Sequence, residues 1–301
     1  MNRYIFPLFL CSLLAYSSAC ERLRLVETDL PGEAQIIVRC FLSPDQSEIQ
    51  LSLRQSQLIG TDADLSHNNL ILTDATILVE NISQARSLAL SFDATSRVYR
   101  SAKQDSFLRS GDQYQLKIEH PDFPAVTGQC QIPGAPQQFS VQLDSTIDDP
   151  NAPEFFVRTS WEDPVGERNF YRLIGQVIPD TVAFHKQPWY FLWRGLDPEP
   201  DFITDEGIEQ VRITGPLGDL QTIAAQAIDS RPARQARYPR DSVRVALLQV
   251  NEAYFRYMLD LRQARQTGRA FSEPYQVYTN LEGAIGIFAA YHADERRLRI
   301  R

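Results

Sequence analysis

Hydrophobic and polar residues alternate along much of the first half of the chain. In "QIIVRCFL" the alternation places Ile36, Val38, Cys40 and Leu42 on one face, and "EIQLSLRQ" repeats the pattern. A period of two residues is typical of strands with one buried face. Turn-forming residues separate further segments of the same kind. We therefore predict an antiparallel β-sandwich of the immunoglobulin or fibronectin type III kind over residues 35–133.

The second half carries a similar pattern after a short linker. "IPGAPQQ", residues 132–138, is predicted to separate two domains, and residues 138–301 to form a second sandwich. Trp161 and Tyr171 lie in consecutive predicted strands on either side of a Pro-Gly turn. This arrangement resembles the fibronectin type III fold. The predicted fold class is thus all-β, with two tandem sandwiches.

One segment of the second half has the period of a helix. Apolar side chains recur at three- and four-residue spacing from Tyr254 to Ala264, Asn251 can cap the first turn, and Gly268 follows the last. We predict an amphipathic helix over about residues 251–267, inserted in the second domain. Its apolar stripe could bind a lipid or a partner, but packing on its own sheet is the favoured prediction.

The N-terminus has the features of a secretory signal. A short positive segment precedes an apolar run, residues 4–14, that is too short for a transmembrane helix. Small residues then precede Cys20, as they do in bacterial lipoprotein signals. We predict a signal peptide over residues 1–19, lipidation of Cys20 and a lipidated tether over residues 20–34. The alternative is ordinary cleavage that leaves a free Cys20.

Composition and motifs narrow the classes of function. The formal charge is -8 at pH 7, which disfavours a nucleic-acid binder and a basic patch that binds anionic lipid. The sequence contains no GxSxG, GxxxxGK[ST], HExxH or GxGxxG motif. Its four histidines lie far apart, without ligand spacing on any one element. We predict a protein that is not an enzyme, with no cofactor and no metal site.

Acidic loops are the remaining source of candidate chemistry. "TDADLSHNN" and "DSTIDDPNAPE" carry clustered carboxylates, but neither has the glycine and closing glutamate of a calcium-binding EF-hand loop. Solvated acidic loops are the favoured interpretation. A glycosidase needs two carboxylates at a separation set by the fold, which sequence alone cannot nominate.

Two cysteines fall inside predicted strands of the first domain. Cys40 lies in the first strand and Cys130 in the last, each on the apolar face. The exported context favours a disulfide between them, which closes a long loop. The alternative is two buried thiols that do not pair.

The densest aromatic stretch is "HKQPWYFLWRG", residues 185–195. Trp189, Tyr190 and Trp193 are the residues of a candidate ligand or partner surface. Alternation places the two tryptophans on one face and Tyr190 on the other. A strand that is apolar on both faces is usually buried on both, so a core role is the favoured alternative.

The C-terminal segment "FSEPYQVYTNLEGAIGIFAAY" resembles the closing motif of a family known as domain of unknown function 4249. The positions that carry the likeness are Pro274, Val277, Thr279, Asn280, Leu281, Gly283, Ile285, Gly286, Phe288, Ala290 and Tyr291. Ala284 stands where the family usually has a glycine. "DATILVEN", "SGDQYQLKIEHPD" and "WEDPVGERNFYRL" fit as well, so the resemblance spans nearly the whole mature chain.

The resemblance implies a Bacteroidetes-type outer-membrane lipoprotein encoded beside a TonB-dependent receptor, with an accessory role in uptake. It implies no catalytic residues and no ligand. For Gly283 and Gly286 we expect a tight turn and close strand packing, and for Asn280 a capping or turn hydrogen bond. A carbohydrate-acting enzyme and a structural or adhesive surface module stay open as alternatives. Residues 21–24, with one acid and two bases, leave the periplasmic or surface face of the membrane open.

Overall fold

The computed structural model describes residues 34–46, 48–56, 70–102, 106–146, 154–164, 166–178, 189–190, 192–194, 201–206, 211–220, 242–267 and 277–300. Within these ranges the regular elements are strands and one helix, so the prediction of an all-β protein with one helix is confirmed. The predicted signal peptide, the lipidation site Cys20 and Pro274 of the motif lie outside the described residues.

The strands of the N-terminal half are β1 Ile36–Leu42, β2 Glu48–Gln55, β3 Thr76–Asn81, β4 Arg86–Asp93, β5 Val98–Ala102, β6 Gln113–His120 and β7 Phe123–Gln131. Those of the C-terminal half are β8 Gln137–Thr146, β9 Glu154–Glu162, β10 Phe170–Ile178, β11 Trp189–Tyr190, β12 Leu192–Arg194, β13 Phe202–Thr204, β14 Arg212–Thr214, β15 Leu217–Asp219, β16 Ser242–Val250, β17 Leu281–Glu282 and β18 Ala284–Arg299. Helix α1, Glu252–Thr267, lies between β16 and β17.

Strands from both halves belong to one sheet. Its hydrogen-bonded neighbours follow the order β11-β10-β16-β18-β1-β2-β5-β4-β3-β6-β7-β17, with β13 also on β10. A smaller sheet has the order β12-β15-β9-β14, with β8 also on β9. The result is a curled β-sandwich, and its strands form because alternate apolar side chains are buried.

The predicted inward faces are indeed buried. Val38, Cys40 and Leu42 of β1 have no exposed surface. In the second half, Trp161 and Tyr171 are also fully buried, and their ring centroids lie 5.3 Å apart. The period-two pattern therefore identified both the strands and the side of each strand that faces the core.

Strand β18 changes its partner along its length. Its first part, from Ala284 to Ala290, pairs in parallel with β1. Its second part, from Tyr291 to Arg299, pairs antiparallel with β16. A parallel pair requires a long crossover, and here most of the chain lies between the two strands. One strand thus hydrogen-bonds to both halves of the protein.

Each half of the protein has its own apolar cluster, and the end of the chain contributes to the first. One cluster is built mainly from residues 36–132 and a second from residues 139–300. Leu281, Phe288 and Ala290 from the end of the chain join the first cluster. Residues 34–301 form one compact unit, and the predicted linker does not divide its hydrogen-bonded strands into two sets.

Helix α1 packs on the main sheet, as predicted from its apolar stripe. The side chain of Asn251 caps it, with Oδ1 accepting from the Tyr254 N–H at 3.0 Å. Tyr254 and Tyr257 are buried against Phe170 of β10 and Ile287 of β18. Within the described residues, no helix combines the length and apolar composition needed to cross a bilayer.

The predicted disulfide between Cys40 and Cys130 is wrong, because both cysteines are free. Their side chains are buried in the same apolar cluster, as the alternative of two unpaired thiols requires. Burial raises the pKa of Cys40 to about 12. Burial, with a smaller effect of Cys40, also raises the pKa of Cys130 well above its ordinary value. Since the thiolate is the reactive form, both thiols are protected in the folded protein.

We expect these two thiols to resist alkylation until the protein unfolds. Iodoacetamide added to the native protein without reductant should leave the peptides of Cys40 and Cys130 unmodified, because neither thiol is exposed or ionised. The same treatment in concentrated guanidinium chloride should modify both, as measured by peptide mass spectrometry. A disulfide-linked pair of these peptides would contradict the structure.

Candidate functional site

The side chain of Asn280, in the motif, hydrogen-bonds to backbone groups of two strands. Nδ2 of Asn280 donates to the Phe288 carbonyl at 2.7 Å and to the Gln129 carbonyl at 3.1 Å. Its Oδ1 accepts from the Phe288 N–H at 3.1 Å. One amide therefore satisfies both backbone groups of a β18 residue and also reaches β7. A carboxylate could not replace it, because it lacks the donor.

Two glycines of the motif bring the chain against neighbouring backbone. Gly283 has φ +78°, and a Cβ there would lie 2.4 Å from the Ala125 carbonyl oxygen. Gly286 has φ +118°, and a Cβ there would lie 2.0 Å from the Val38 carbonyl oxygen. Both the backbone conformation and the available space require glycine. This is the geometry expected of a tight turn and close strand packing.

Tyr291 ends the motif at the point where β18 changes partner. Its ring packs against Tyr254 of α1, with centroids 6.0 Å apart. Its hydroxyl accepts a hydrogen bond from Nε2 of Gln46 at 2.7 Å. Burial raises the pKa of Tyr291, with a further contribution from Tyr254. The residue therefore connects the loop after β1 to the helix.

Directly after the motif, His292 joins a hydrogen-bonded chain of three side chains. Its Nδ1 lies 2.9 Å from Oγ of Ser110, and its Nε2 lies 3.4 Å from Oδ1 of Asp45. The other carboxylate oxygen of Asp45 accepts from the Ala293 N–H at 2.8 Å. Burial acts to raise the pKa of Asp45, but the hydrogen bonds from His292 and Ala293 lower it overall.

A serine, a histidine and an aspartate in this order are the elements of a nucleophilic triad. Such a triad also needs donors for an oxyanion. The amides next to Ser110 are already used, since the Gly111 N–H donates to Ile132 and the Asp112 N–H to Arg109. Ser110 itself lies on an exposed turn. These three hydrogen-bonded side chains therefore hold the turn of Ser110 and the loop of Asp45 against β18.

Sequence reasoning missed this cluster. Ser110 and His292 are 182 positions apart, and no local motif surrounds either. The β1–β18 pairing brings the loop after β1, with Asp45, next to the second part of β18, and Ser110 reaches His292 from the separate turn before β6. Only the topology could have revealed it.

Two other family-like segments each contain a buried polar residue with several hydrogen bonds. Asn81, at the end of β3, has no exposed surface. Its Nδ2 donates to the Phe107 carbonyl at 3.0 Å and to Oδ2 of Asp112 at 2.9 Å. Tyr114 adds a hydrogen bond from its hydroxyl to the same carbonyl at 2.7 Å, and burial raises its pKa to about 12. These contacts fix the turn before β6.

In the segment "WEDPVGERNFYRL", a buried carboxylate stands at the end of β9. The Tyr171 hydroxyl donates to Oδ1 of Asp163 at 2.6 Å. Burial raises the pKa of Asp163, and the nearby carboxylate of Asp205 raises it further. Asn169 donates its backbone N–H to Asp205 at 2.9 Å and accepts at its side chain from Gln249 at 2.9 Å. The network closes the loop between β9 and β10.

The aromatic stretch divides between core and surface. Trp193 is 9% exposed and belongs to the second apolar cluster. Tyr190 is 63% exposed and lies in β11 of the main sheet, whereas Trp193 lies in β12 of the smaller sheet. The side chain of Trp189 lies outside the described residues. Of the predicted surface residues, Tyr190 is thus the one that the structure places in solvent.

Metal binding finds no support in the part of the chain that the structure describes. No group of three histidine, cysteine, aspartate or glutamate side chains there could hold an ion. Most of both acidic loops, residues 61–69 and 147–153, lies outside that part. His120 is buried beside Asp74, with Nε2 and Oδ1 2.8 Å apart.

The comparisons with known proteins agree with the motif. Residues 24–297 match the model of a family described as a domain of unknown function, DUF4249. The chain belongs to this family. A comparison with curated proteins finds no match. The predicted family is therefore confirmed, and the motif residues of this DUF4249 protein have structural roles in the described geometry.

We expect Gly286→Ala to lower the free energy of unfolding of this DUF4249 protein by at least about 3 kcal/mol, because it adds a backbone clash to an unfavourable φ. Gly111→Ala is the matched control. Gly111 also has a positive φ, but no atom lies within 4 Å of the place that an added Cβ would take, so the loss should be about 1 to 2 kcal/mol. Urea unfolding followed by tryptophan fluorescence measures both, and equal losses would contradict the close approach to Val38.

Proposed function

We propose that this DUF4249 protein is a lipid-anchored protein of the outer membrane that acts as a non-enzymatic accessory or binding component beside a TonB-dependent receptor in nutrient uptake. One observation carries the non-enzymatic part of the proposal. Asn280 and the two glycines of the family motif make their close contacts with the backbone of the same chain, as Asn280 does with Phe288. A catalytic motif would instead direct such groups toward a substrate.

The predicted lipidation of Cys20 supports the membrane part of the proposal. Several acyl chains on one cysteine hold a protein on a bilayer, since each buried CH2 contributes about 0.8 kcal/mol. The body that follows is acidic overall, with a formal charge of -8, so a covalent anchor is a better explanation of membrane attachment than a basic surface.

A carbohydrate-acting enzyme is the second candidate, and one observation favours it. Asp163 has a raised pKa and lies near a second carboxylate, Asp205, as general acid catalysis requires. Against this, Asp163 is only 7% exposed, and both carboxylates already accept hydrogen bonds within the protein, Asp163 from the Tyr171 hydroxyl and Asp205 from the Asn169 N–H. Their contacts support a role in holding the loop.

A structural or adhesive surface module is the third candidate. This candidate rests on two tandem sandwiches of the immunoglobulin or fibronectin type III kind, which we propose as the more detailed description of the fold. Sandwiches of this kind carry many functions, so fold alone does not favour adhesion over uptake. A receptor that co-purifies with the protein distinguishes the two.

We expect Cys20→Ala to release the protein from the membrane fraction, because it removes the acyl chains that hold it there. Cys11→Ala is the matched control, since this cysteine lies in the predicted apolar run of the signal and should leave anchoring unchanged. Fractionation and metabolic labelling with a fatty acid measure the effect. The wild-type protein, extracted in mild detergent, should co-purify with a large β-barrel receptor.

Two outcomes would contradict the proposal. The Cys20→Ala protein could stay in the membrane fraction with an unchanged label, which would exclude the anchor. Alternatively, the wild-type protein could be extracted as a lone monomer, which would exclude a stable receptor complex. Hydrolysis of a polysaccharide that is lost in Asp163→Asn would favour the enzyme instead.

A further inference from the structure

One face of the main sheet changes character along its strands. Beside helix α1, this face of β10 and β16 carries Ile174 and Ala246, which pack in the apolar cluster under the helix. One row further from the helix, Gln176 of β10 lies beside Arg244 of β16, and Arg244 lies beside Arg297 of β18. The same face thus passes from an apolar contact to a polar surface.

Two more residues extend this polar row. Tyr190 of β11 lies beside Gln176 at the end of the sheet. Arg299 lies two residues beyond Arg297 on β18, and side chains at that spacing share a face. We refer to Tyr190, Arg244, Arg297 and Arg299 together as the arginine surface.

The arginine surface is open to solvent. Tyr190 is 63% exposed, and the side chain of Arg244 is 44% exposed. Arg297 and Arg299 are exposed as well. Tyrosine and arginine are the residue types enriched at the energetically important positions of protein interfaces.

One of the three arginines, Arg244, already forms an ion pair with a carboxylate. Arg244 donates to Glu295 at 2.5 Å and to the side-chain oxygen of Gln176 at 3.3 Å. Arg297 donates from Nε to Ser242 at 3.0 Å, which leaves its two terminal amino groups for another acceptor. Among the described residues, no carboxylate forms an ion pair with Arg297 or Arg299.

The charge of this surface is opposite to that of the whole chain. Three guanidinium groups stand against the single carboxylate of Glu295, in a protein with a formal charge of -8. Like charges close together on a sheet destabilise it unless a partner neutralises them. Complementary charge on a partner would both remove this repulsion and select the partner.

We propose that the arginine surface binds an acidic segment of a protein partner, in which carboxylates alternate along an extended chain. Arg297 and Arg299 are two residues apart on one strand, about 7 Å, which is also the separation of side chains i and i+2 in an extended partner segment. Arginine pairs with carboxylates in a planar, two-bond geometry. Tyr190 supplies a rigid apolar contact at the other end of the row, three strands from Arg297 and beyond Gln176 and Arg244.

This inference deepens the proposed function, because it names the surface through which the accessory protein meets its partner. The two can nevertheless fail separately. Anchoring and co-purification with a receptor test the proposed function, whereas binding of a defined acidic polymer tests the arginine surface directly.

The test uses the full chain, purified in detergent, with poly-L-glutamate as the probe. We expect binding at low salt that weakens as salt rises, because exposed charges are screened beyond about 10 Å at 0.1 M. Arg297→Glu combined with Arg299→Glu should weaken binding by about tenfold or more, since it replaces attraction with repulsion at two positions. Tyr190→Ala should also weaken it.

The matched control is Arg39→Glu combined with Arg54→Glu. These arginines are exposed on β1 and β2 of the same sheet, and the change in charge is identical. Binding should therefore stay within about twofold of the wild type if the site is local. Arg297→Gln combined with Arg299→Gln repeats the test without added negative charge, and thermal unfolding checks that each variant folds.

Three results would overturn the inference. The wild-type chain could fail to bind poly-L-glutamate, or the Arg297 and Arg299 variants could bind it as well as the control does. Binding of polygalacturonate without binding of poly-L-glutamate would show that the surface recognises an anionic glycan rather than a polypeptide. A chain that binds poly-L-glutamate but co-purifies with no receptor would exclude the proposed function and leave the arginine surface in place.

Discussion

The parallel ladder between β1 and β18 is the contact on which the rest of this protein depends. It joins Ile36 to Ala284 and Leu42 to Ala290, at opposite ends of the sequence. The ladder places Phe288 and Ala290 in the apolar cluster of the first half, while the later residues of β18 pair with β16 in the second. Gly286 allows this approach, because any side chain there would overlap the Val38 carbonyl.

A strand that changes partners leaves backbone groups that neither neighbour reaches, and buried groups of this kind must find other partners. Side chains supply them here. Asn280 pairs with both backbone groups of Phe288, and Oδ1 of Asn251 accepts from the Ala290 N–H at 3.3 Å. On the opposite edge, beyond the end of β1, Asp45 accepts from the Ala293 N–H. The family motif is therefore explained by the backbone groups of β18 that require hydrogen-bond partners where the strand changes neighbours.

Much of this fold could be predicted from sequence because burial on one face leaves a period-two pattern. Strands such as β1, β2, β9 and β10 and the capped helix α1 were visible in that way, whereas β5 was not identified. The pairing of β1 with β18 was not, since a parallel contact between distant segments leaves no local signal. The contacts of His292 with Asp45 and Ser110 also join distant segments, so they were hidden as well. Cys40 and Cys130 show that a pattern can also predict too much. Their burial was correctly predicted, but burial in one cluster does not require a disulfide bond.

The arginine surface follows from the same topology. Arg244 and Arg297 become neighbours only because β16 pairs with the second part of β18, and Tyr190 joins them across β10. In the sequence these residues lie in three separate segments, of which the aromatic stretch that carries Tyr190 is the one that composition singles out. A functional surface of this protein is therefore to be sought where its shared strand assembles distant residues, rather than within the conspicuous motif.

Hydrogen exchange is the most direct measurement of the central claim that β18 joins both halves into one cooperative unit. Peptides that cover Ile36–Leu42 of β1, Ser242–Val250 of β16 and Ala284–Arg299 of β18 would be followed in rising denaturant. If the strand is shared as described, the protected amides of all three should exchange with the same free energy of opening. Exchange of the β1 peptide while β16 and the second part of β18 remain protected would contradict the claim.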